Sequence, residues 1–269
     1  MFSNVGEYKP CGIFTLGHFI LIVITIIVIF ITLKKSVNKN KVEVHKIIKF
    51  VTIIAYILEI IKIIYNIKQN SFRAVNTYLP LYYCSILLYA GLLSSFAKGT
   101  LKRVGDVSLA TGSIIGGIVF IIYPSTSLPI YPAFHILSIY SFLFHGAMIY
   151  LGILINKTRY IELKKEDCKY FASLVCCMSV VALIVNKLFD GNLMFISNNF
   201  PGTPIEFLYK ITNGGTLFTI IMITSQMIIP FYISYYAIKK VQHLKQNQKL
   251  NDIKNELELE VGVEYASKK

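Results

Sequence analysis

Residues 14–33 read FTLGHFILIVITIIVIFITL, and residues 34–46, which follow, read KKSVNKNKVEVHK. A helix crosses a hydrocarbon core roughly 30 Å thick with about 20 apolar residues, and the first stretch supplies that length without one charged side chain. Only Lys9 precedes it and no small-residue cleavage site follows, so a retained membrane helix is expected rather than a secretory signal peptide. Six further stretches have the same character: 47–66, 76–96, 107–123, 134–155, 170–189 and 215–238. The expected fold class is therefore all-α, a polytopic membrane protein built as a bundle of about seven transmembrane helices.

Composition agrees. Of 269 residues, 55% are hydrophobic and 15% charged, whereas a soluble domain carries about 25% charged residues. The net charge of +13 would point to nucleic acid in a soluble protein, but here its placement is a topology signal, and no nucleic-acid partner is expected. Lys and Arg number 5 in residues 34–46, 3 in 97–106, 5 in 156–169 and 7 in 239–269, which makes 20. The alternate segments carry 1 before residue 14, 2 in 67–75, none in 124–133 and 1 in 190–214, which makes 4. Positive charge accumulates on the cytoplasmic side. The expected orientation has the amino terminus outside and the carboxy terminus in the cytoplasm of a multi-pass cell-membrane protein.

Two units are expected, a helical bundle over 1–238 and a basic-then-acidic cytoplasmic tail over 239–269. The tail begins KKVQHLKQNQK and continues with Leu250, Ile253, Leu257 and Val261 near helical spacing. Its basic half suits anionic lipid headgroups at the cytoplasmic face. Five cysteines, of which Cys11 alone lies clearly outside and Cys168 at a cytoplasmic edge, imply no disulfide framework.

The longest internal loop, DGNLMFISNNFPGTPIEFLYKITNGG, is too rich in Phe, Leu, Ile and Tyr for a solvated linker. It is expected to fold back as a lid on the outer face. Gly112 and Gly116 stand at GxxxG spacing and allow a close helix approach. Pro230 removes a backbone donor in the last span, with Gln226 one turn earlier as a partner for the freed carbonyl.

Ionisable groups inside a membrane cost about 2.5 to 3.5 kcal/mol at mid-depth even on a lenient scale and so need polar shelter. Glu59 and Lys62, three apart in the second span, form an ion pair on one helix face or leave Lys62 to snorkel outward. Cys84 follows Pro80 in YLPLYYCS, beside Tyr82, Tyr83 and Ser85. Pro80 suits a helix start. A buried thiol is ordinarily a small hydrophobe and needs a base to become a nucleophile. His145 in FLFHG supplies one at mid-span, with Gly146 opening room beside the ring. His135 falls at the solvated outer edge. By helical rise, Glu59, Cys84 and His145 lie about 10, 12 and 16 Å below the outer surface.

The elements YLPLYYCS, FLFHG and GNLMFISNNFPGTP together resemble the YwaF-like integral membrane proteins of bacteria, which are similar in turn to the animal acyltransferase transmembrane protein 164. The resemblance runs from the second span to the seventh. It implies a fold like that of membrane hydrolases of fatty-acid esters, a cysteine that holds an acyl group during phospholipid remodelling, and a histidine. Matched by motif, these are Cys84 and His145. Many bacterial members have His where this chain has Tyr82, a departure that removes a possible extra base.

The chemistry so implied is acyl transfer between membrane phospholipids through a Cys84 thioester, with His145 as general base. Glu59 would orient His145 or stabilise its charged form, although Lys62 competes for it, and Ser85 and Tyr82 are candidate oxyanion donors. No metal and no cofactor is expected. The alternatives are a membrane lipid-ester hydrolase and a non-enzymatic transporter or sensor. No repeat between the halves favours transport, and the 239–269 tail is small for an output domain.

Overall fold

A computed structural model describes residues 8–69 and 78–267, with side chains through 248 apart from Gln69, and that of Asn251. The described residues are all-helical, with no strand. In chain order the helices are α1 (Leu16–Ser36), α2 (Lys41–Gln69), α3 (Ile86–Phe96), α4 (Gly99–Ala110), α5 (Gly112–Ile122), α6 (Ile136–Lys157), α7 (Cys168–Phe189), α8 (Pro204–Ile211) and α9 (Gly215–Ser267). Five helical stretches among the described residues are long and apolar enough to cross a membrane, and Tyr83–Phe96 is a shorter apolar one. The outward faces of α1 and of α2, which is not among the five, are the reason that only a membrane suits this fold. Phe19, Val23, Ile27 and Phe30 on α1 and Ile53, Ile57, Ile60 and Ile64 on α2 are all exposed, and such apolar surface is stable against lipid and not against water.

The bundle centre is α3, α4 and α5, flanked by α6, α7 and α9, while α1 leans on α6 from outside. Gly91 on α3 faces Thr52 of α2 so closely that a Cβ would meet its Oγ1 at 2.5 Å. The α4–α5 rod breaks at Thr111 (φ −125°, ψ −77°). Backbone carbonyls freed in hydrocarbon must find donors, and these do: Asn156 Nδ2 donates to Ala110 O at 2.8 Å and Ser234 Oγ to Thr111 O at 2.9 Å.

Hydrogen bonds sort the connections to two ends. At the lysine-rich end, Tyr160 meets His45 (3.1 Å) and Lys102 (2.7 Å), and Arg103 pairs with Asp167. There Asp106 is buried, taking Lys102 at 2.7 Å and Ser94 Oγ at 2.5 Å. At the opposite end Gly12 N donates to Leu128 O (2.8 Å), Tyr65 meets His135 (3.1 Å) and Tyr123 donates to Gly202 O (3.0 Å).

Several expectations change. The third span, expected over about 76–96, is interrupted: Leu79–Tyr82 are not helical and the helix that carries the span starts at Tyr83, so Pro80 precedes that start instead of forming it. Residues 97–106 are not a loop, because α4 begins at Gly99. His135 is not solvated: it is buried and caps α6, accepting from Leu137 N at 3.2 Å. The helix α9 runs past residue 238 to Ser267; the amphipathic pattern at Leu250, Ile253, Leu257 and Val261 lies outside the described side chains.

Candidate active site

Cys84 sits at a strand-like lead-in to a helix. Tyr82 is extended (φ −83°, ψ 162°), Tyr83–Ser85 make one 3-10 turn, and α3 continues from it. The first amides of a helix have no partner within it, and the backbone N–H groups of Cys84 and Ser85 lie at the thiol. What holds the turn is glycine. A Cβ on Gly116 of α5 would meet the Tyr83 ring at 3.0 Å and Met148 at 2.9 Å, and one on Gly112 would overlap Phe171 and meet Tyr83 Oη at 2.9 Å. The adjacent Gly117 of α5 faces α6, where a Cβ would meet His145 O at 2.8 Å. One glycine face of α5 thus seats the turn before the cysteine and the helix bearing the histidine. The close approach expected of Gly112 and Gly116 is present, but side chains and a turn occupy it as well as a helix.

His145 is buried, and the Phe120 ring stacks on it with centroids 3.6 Å apart. Its Nδ1 lies 2.7 Å from Ser141 O. A carbonyl only accepts, so Nδ1 carries the proton and, in the neutral ring, Nε2 presents its lone pair. That Nε2 is buried with no protein partner. Gly146 does not open room beside the ring: its missing Cβ faces Thr25 of α1, which would stand 2.9 Å from one.

Around these residues lies a cavity with two lobes. The smaller, about 310 Å³, is the more polar of the two and is lined by Glu59, Lys62, Asn66, Tyr82, Cys84, Ser85, Tyr140, Ser141 and His145, with Ser125, Thr126 and Ser127 and several apolar side chains. The larger, about 430 Å³, is apolar, with walls from Ile115, Gly116, Val119, Phe120, Met194, Phe195, Ile205 and Met222. Cys84 and His145 line both, together with Tyr82, Phe120, Ser125, Thr126 and Phe200. All five residues singled out in the sequence, Glu59, Tyr82, Cys84, Ser85 and His145, are therefore brought to one lobe.

Glu59 does not orient His145. It is buried, with Lys62 Nζ at 2.5 Å on one oxygen and the Tyr140 hydroxyl on the other. Charge neutralisation by a partner three residues away won over a longer reach. The long loop closes the apolar lobe, as Tyr82, Phe195 and Phe200 form a row with centroid spacings of 5.1 and 4.5 Å. Met194 and Phe195 adopt left-handed φ of 56° and 55°. Asn186 holds the preceding Leu193 by both its amide and carbonyl, and Gln226 Nε2 donates to Met194 O at 3.0 Å. Gln226 thus serves the loop and not the carbonyl freed by Pro230.

Residues 10–236 match the TMEM164 family. The chain belongs to the TMEM164 family. The match bears out the relationship to transmembrane protein 164 read from the motifs; it does not bear on the YwaF-like label. No curated protein and no solved structure matches the chain. Of the residues that build this family member's site, Tyr140, Ser141 and Phe120 were not legible in the sequence. Ser141 acts through a backbone carbonyl, which no residue type announces, and Phe120 is one of 18 Phe.

Proposed function

We propose that the protein is a membrane lipid acyltransferase in which Cys84 carries the acyl group and His145 moves the protons. The observation that carries this reading is the position of both side chains where a polar lobe meets an apolar one. A phospholipid ester has the same order of parts: an acyl chain, a carbonyl, then a polar glycerol and headgroup. Its chain in the apolar lobe and its headgroup among Lys62, Asn66 and the serines would set the carbonyl beside Cys84.

His145 Nε2 takes the proton from Cys84 Sγ as the sulfur attacks the ester carbonyl carbon. The oxyanion is met by the helix-start amides and by the Tyr82 hydroxyl, groups already fixed before charge develops. Collapse of the tetrahedral intermediate breaks the C–O ester bond, and the leaving alcohol takes the proton from Nε2. A second lipid's hydroxyl then gives its proton to Nε2 and attacks the thioester, and the departing thiolate regains a proton from the imidazolium. A tyrosine hydroxyl is no base at neutral pH, so Tyr82 adds none beside Cys84 and proton movement rests on His145. Apolar walls exclude water and favour a lipid hydroxyl over hydrolysis.

The test is direct. Protein recovered from its membrane should carry a hydroxylamine-labile acyl mass on the peptide containing Cys84, and Cys84→Ser should carry none that hydroxylamine removes as readily. Active protein with no thioester after trapping at low pH would end the reading.

A further inference from the structure

A second cavity, which shares no lining residue with either lobe at Cys84, lies at the lysine-rich end between the end of α6 and the extension of α9. It has a volume of about 470 Å³. Lys157, Arg159 and Lys245 stand around it, together with the amides of Gln242 and Gln246. No ion pair among the described residues uses any of the three cations. Three other cations at this end are committed, Lys39 to Glu43, Lys102 to Asp106 and Arg103 to Asp167.

The floor is apolar, made by Ile114 of α5, Ile153 of α6, and Ile238 and Val241 one turn apart on α9. Asn156 also lines it, but its amide already donates to Ala110 O and Gly152 O, at 2.8 and 2.7 Å. The polar capacity left to a ligand is therefore the three cations and two glutamine amides. Arg159 holds a left-handed φ of 50° where the α6 C-terminus ends in a Tyr160 N to Ile155 O bond of 3.0 Å. Glycine is the usual residue there; an arginine side chain is kept at this rim against that preference.

We infer that this groove is a binding site for one anionic phospholipid, whose phosphate meets Lys157, Arg159 and Lys245 while an acyl chain lies on the isoleucine floor. Charge complementarity selects an anion, and the apolar floor selects a lipid over free phosphate. Guanidinium and ammonium groups bind phosphate oxygens by charge-assisted hydrogen bonds. The site is separate from the catalytic cavity and independent of the acyltransferase reading.

Native mass spectrometry of the detergent-solubilised full chain tests it, with phosphatidylglycerol, phosphatidylcholine and inorganic phosphate as the probes. The wild type should retain one phosphatidylglycerol in preference to phosphatidylcholine. Each cation neutralised should weaken that retention about five-fold, so Lys157→Gln/Arg159→Gln/Lys245→Gln should lose it by about 100-fold. An equal loss of charge at the same end, Lys34→Gln/Lys35→Gln/Lys41→Gln, should leave it within a factor of about two. If the groove triple variant is not monodisperse, Lys245→Gln alone gives the five-fold reading. Equal retention of both lipids, equal loss in the two triple variants, or competition by inorganic phosphate as strong as by the lipid would overturn the inference.

Discussion

Cys84 and His145 differ in what their removal should cost, and the difference separates catalysis from packing. Cys84→Ala removes one sulfur and leaves a small void, worth about 1 kcal/mol, so the variant should fold yet lose transfer of a labelled acyl chain between phospholipids in vesicles. His145→Ala should lower transfer about 100- to 10,000-fold, the range of general-base contributions; full activity in a well-folded Cys84→Ala protein would end the thioester mechanism. Glu59 makes the contrasting case. Glu59→Gln leaves Lys62 unpaired beside a buried amide, and loss of one member of a buried pair costs about 3–5 kcal/mol. Since Glu59 binds Lys62 and Tyr140 and not His145, melting temperature should fall while transfer per folded molecule changes less than about ten-fold, a gap well below the loss expected of a base. A Glu59→Gln protein of parental stability without activity would make Glu59 catalytic. Sequence legibility at this scale was uneven for a physical reason. Rare polar side chains in apolar spans announce themselves by their solvation cost, whereas their partners at a carbonyl, such as Ser141, or on an aromatic face, such as Phe120, carry no such signal.

At the scale of elements, the glycine face of α5 does most to position the site. Gly117→Ala would set a methyl 2.6 Å from Ile149 Cγ1 and 2.8 Å from His145 O, and the second contact is backbone, which cannot rotate away. Overpacking of this kind costs about 1–3 kcal/mol. It should also displace His145, so the variant is expected to lose both melting temperature and acyl transfer. Gly99→Ala is the comparison, with nothing within 4 Å of the added methyl but a φ of 57°: it should lose stability by strain alone and keep its activity per folded molecule. Equal specific activities in the two would show that the α5–α6 contact does not set the histidine. Spacing made Gly112 and Gly116 visible as a packing motif, yet it could not name Tyr83 and Phe171 as the occupants, because these arrive from distant segments. The Thr111 break left no mark either. Gly112 stands beside the break, but at GxxxG spacing with Gly116 it reads as a packing residue, and the cost of the break is met by Asn156 and Ser234 from other helices.

For the whole molecule, charge placement and hydrogen bonding give the same division of the chain from independent sources. The 20 Lys and Arg of one set of segments, against 4 in the other, include the groups that Tyr160, Asp106 and Asp167 tie together at one end. The opposite end joins the segment before α1, the 124–133 connection and the 190–214 loop through bonds at Gly12, Leu128, Tyr123 and Gly202. Five helical stretches among the described residues are long and apolar enough to cross a membrane; seven crossings with the lysine-rich end in the cytoplasm are the arrangement we propose from the positive-inside rule. The polar lobe, lined by Ser125, Thr126 and Ser127, lies at the other end, so its lipid would come from the outer leaflet. A tag after residue 269 should then be protected from protease in intact cells and a tag before residue 1 should be cleaved, and in sealed inverted vesicles the two results should exchange. Moving the cations supplies the control on cause: Lys34→Gln/Lys35→Gln/Lys39→Gln/Lys41→Gln weakens only the first of the four basic segments, and because the remaining three still oppose inversion, the tags should keep their sides. Cleavage of the carboxy-terminal tag in intact wild-type cells would overturn both the orientation and the outer-leaflet origin of the substrate.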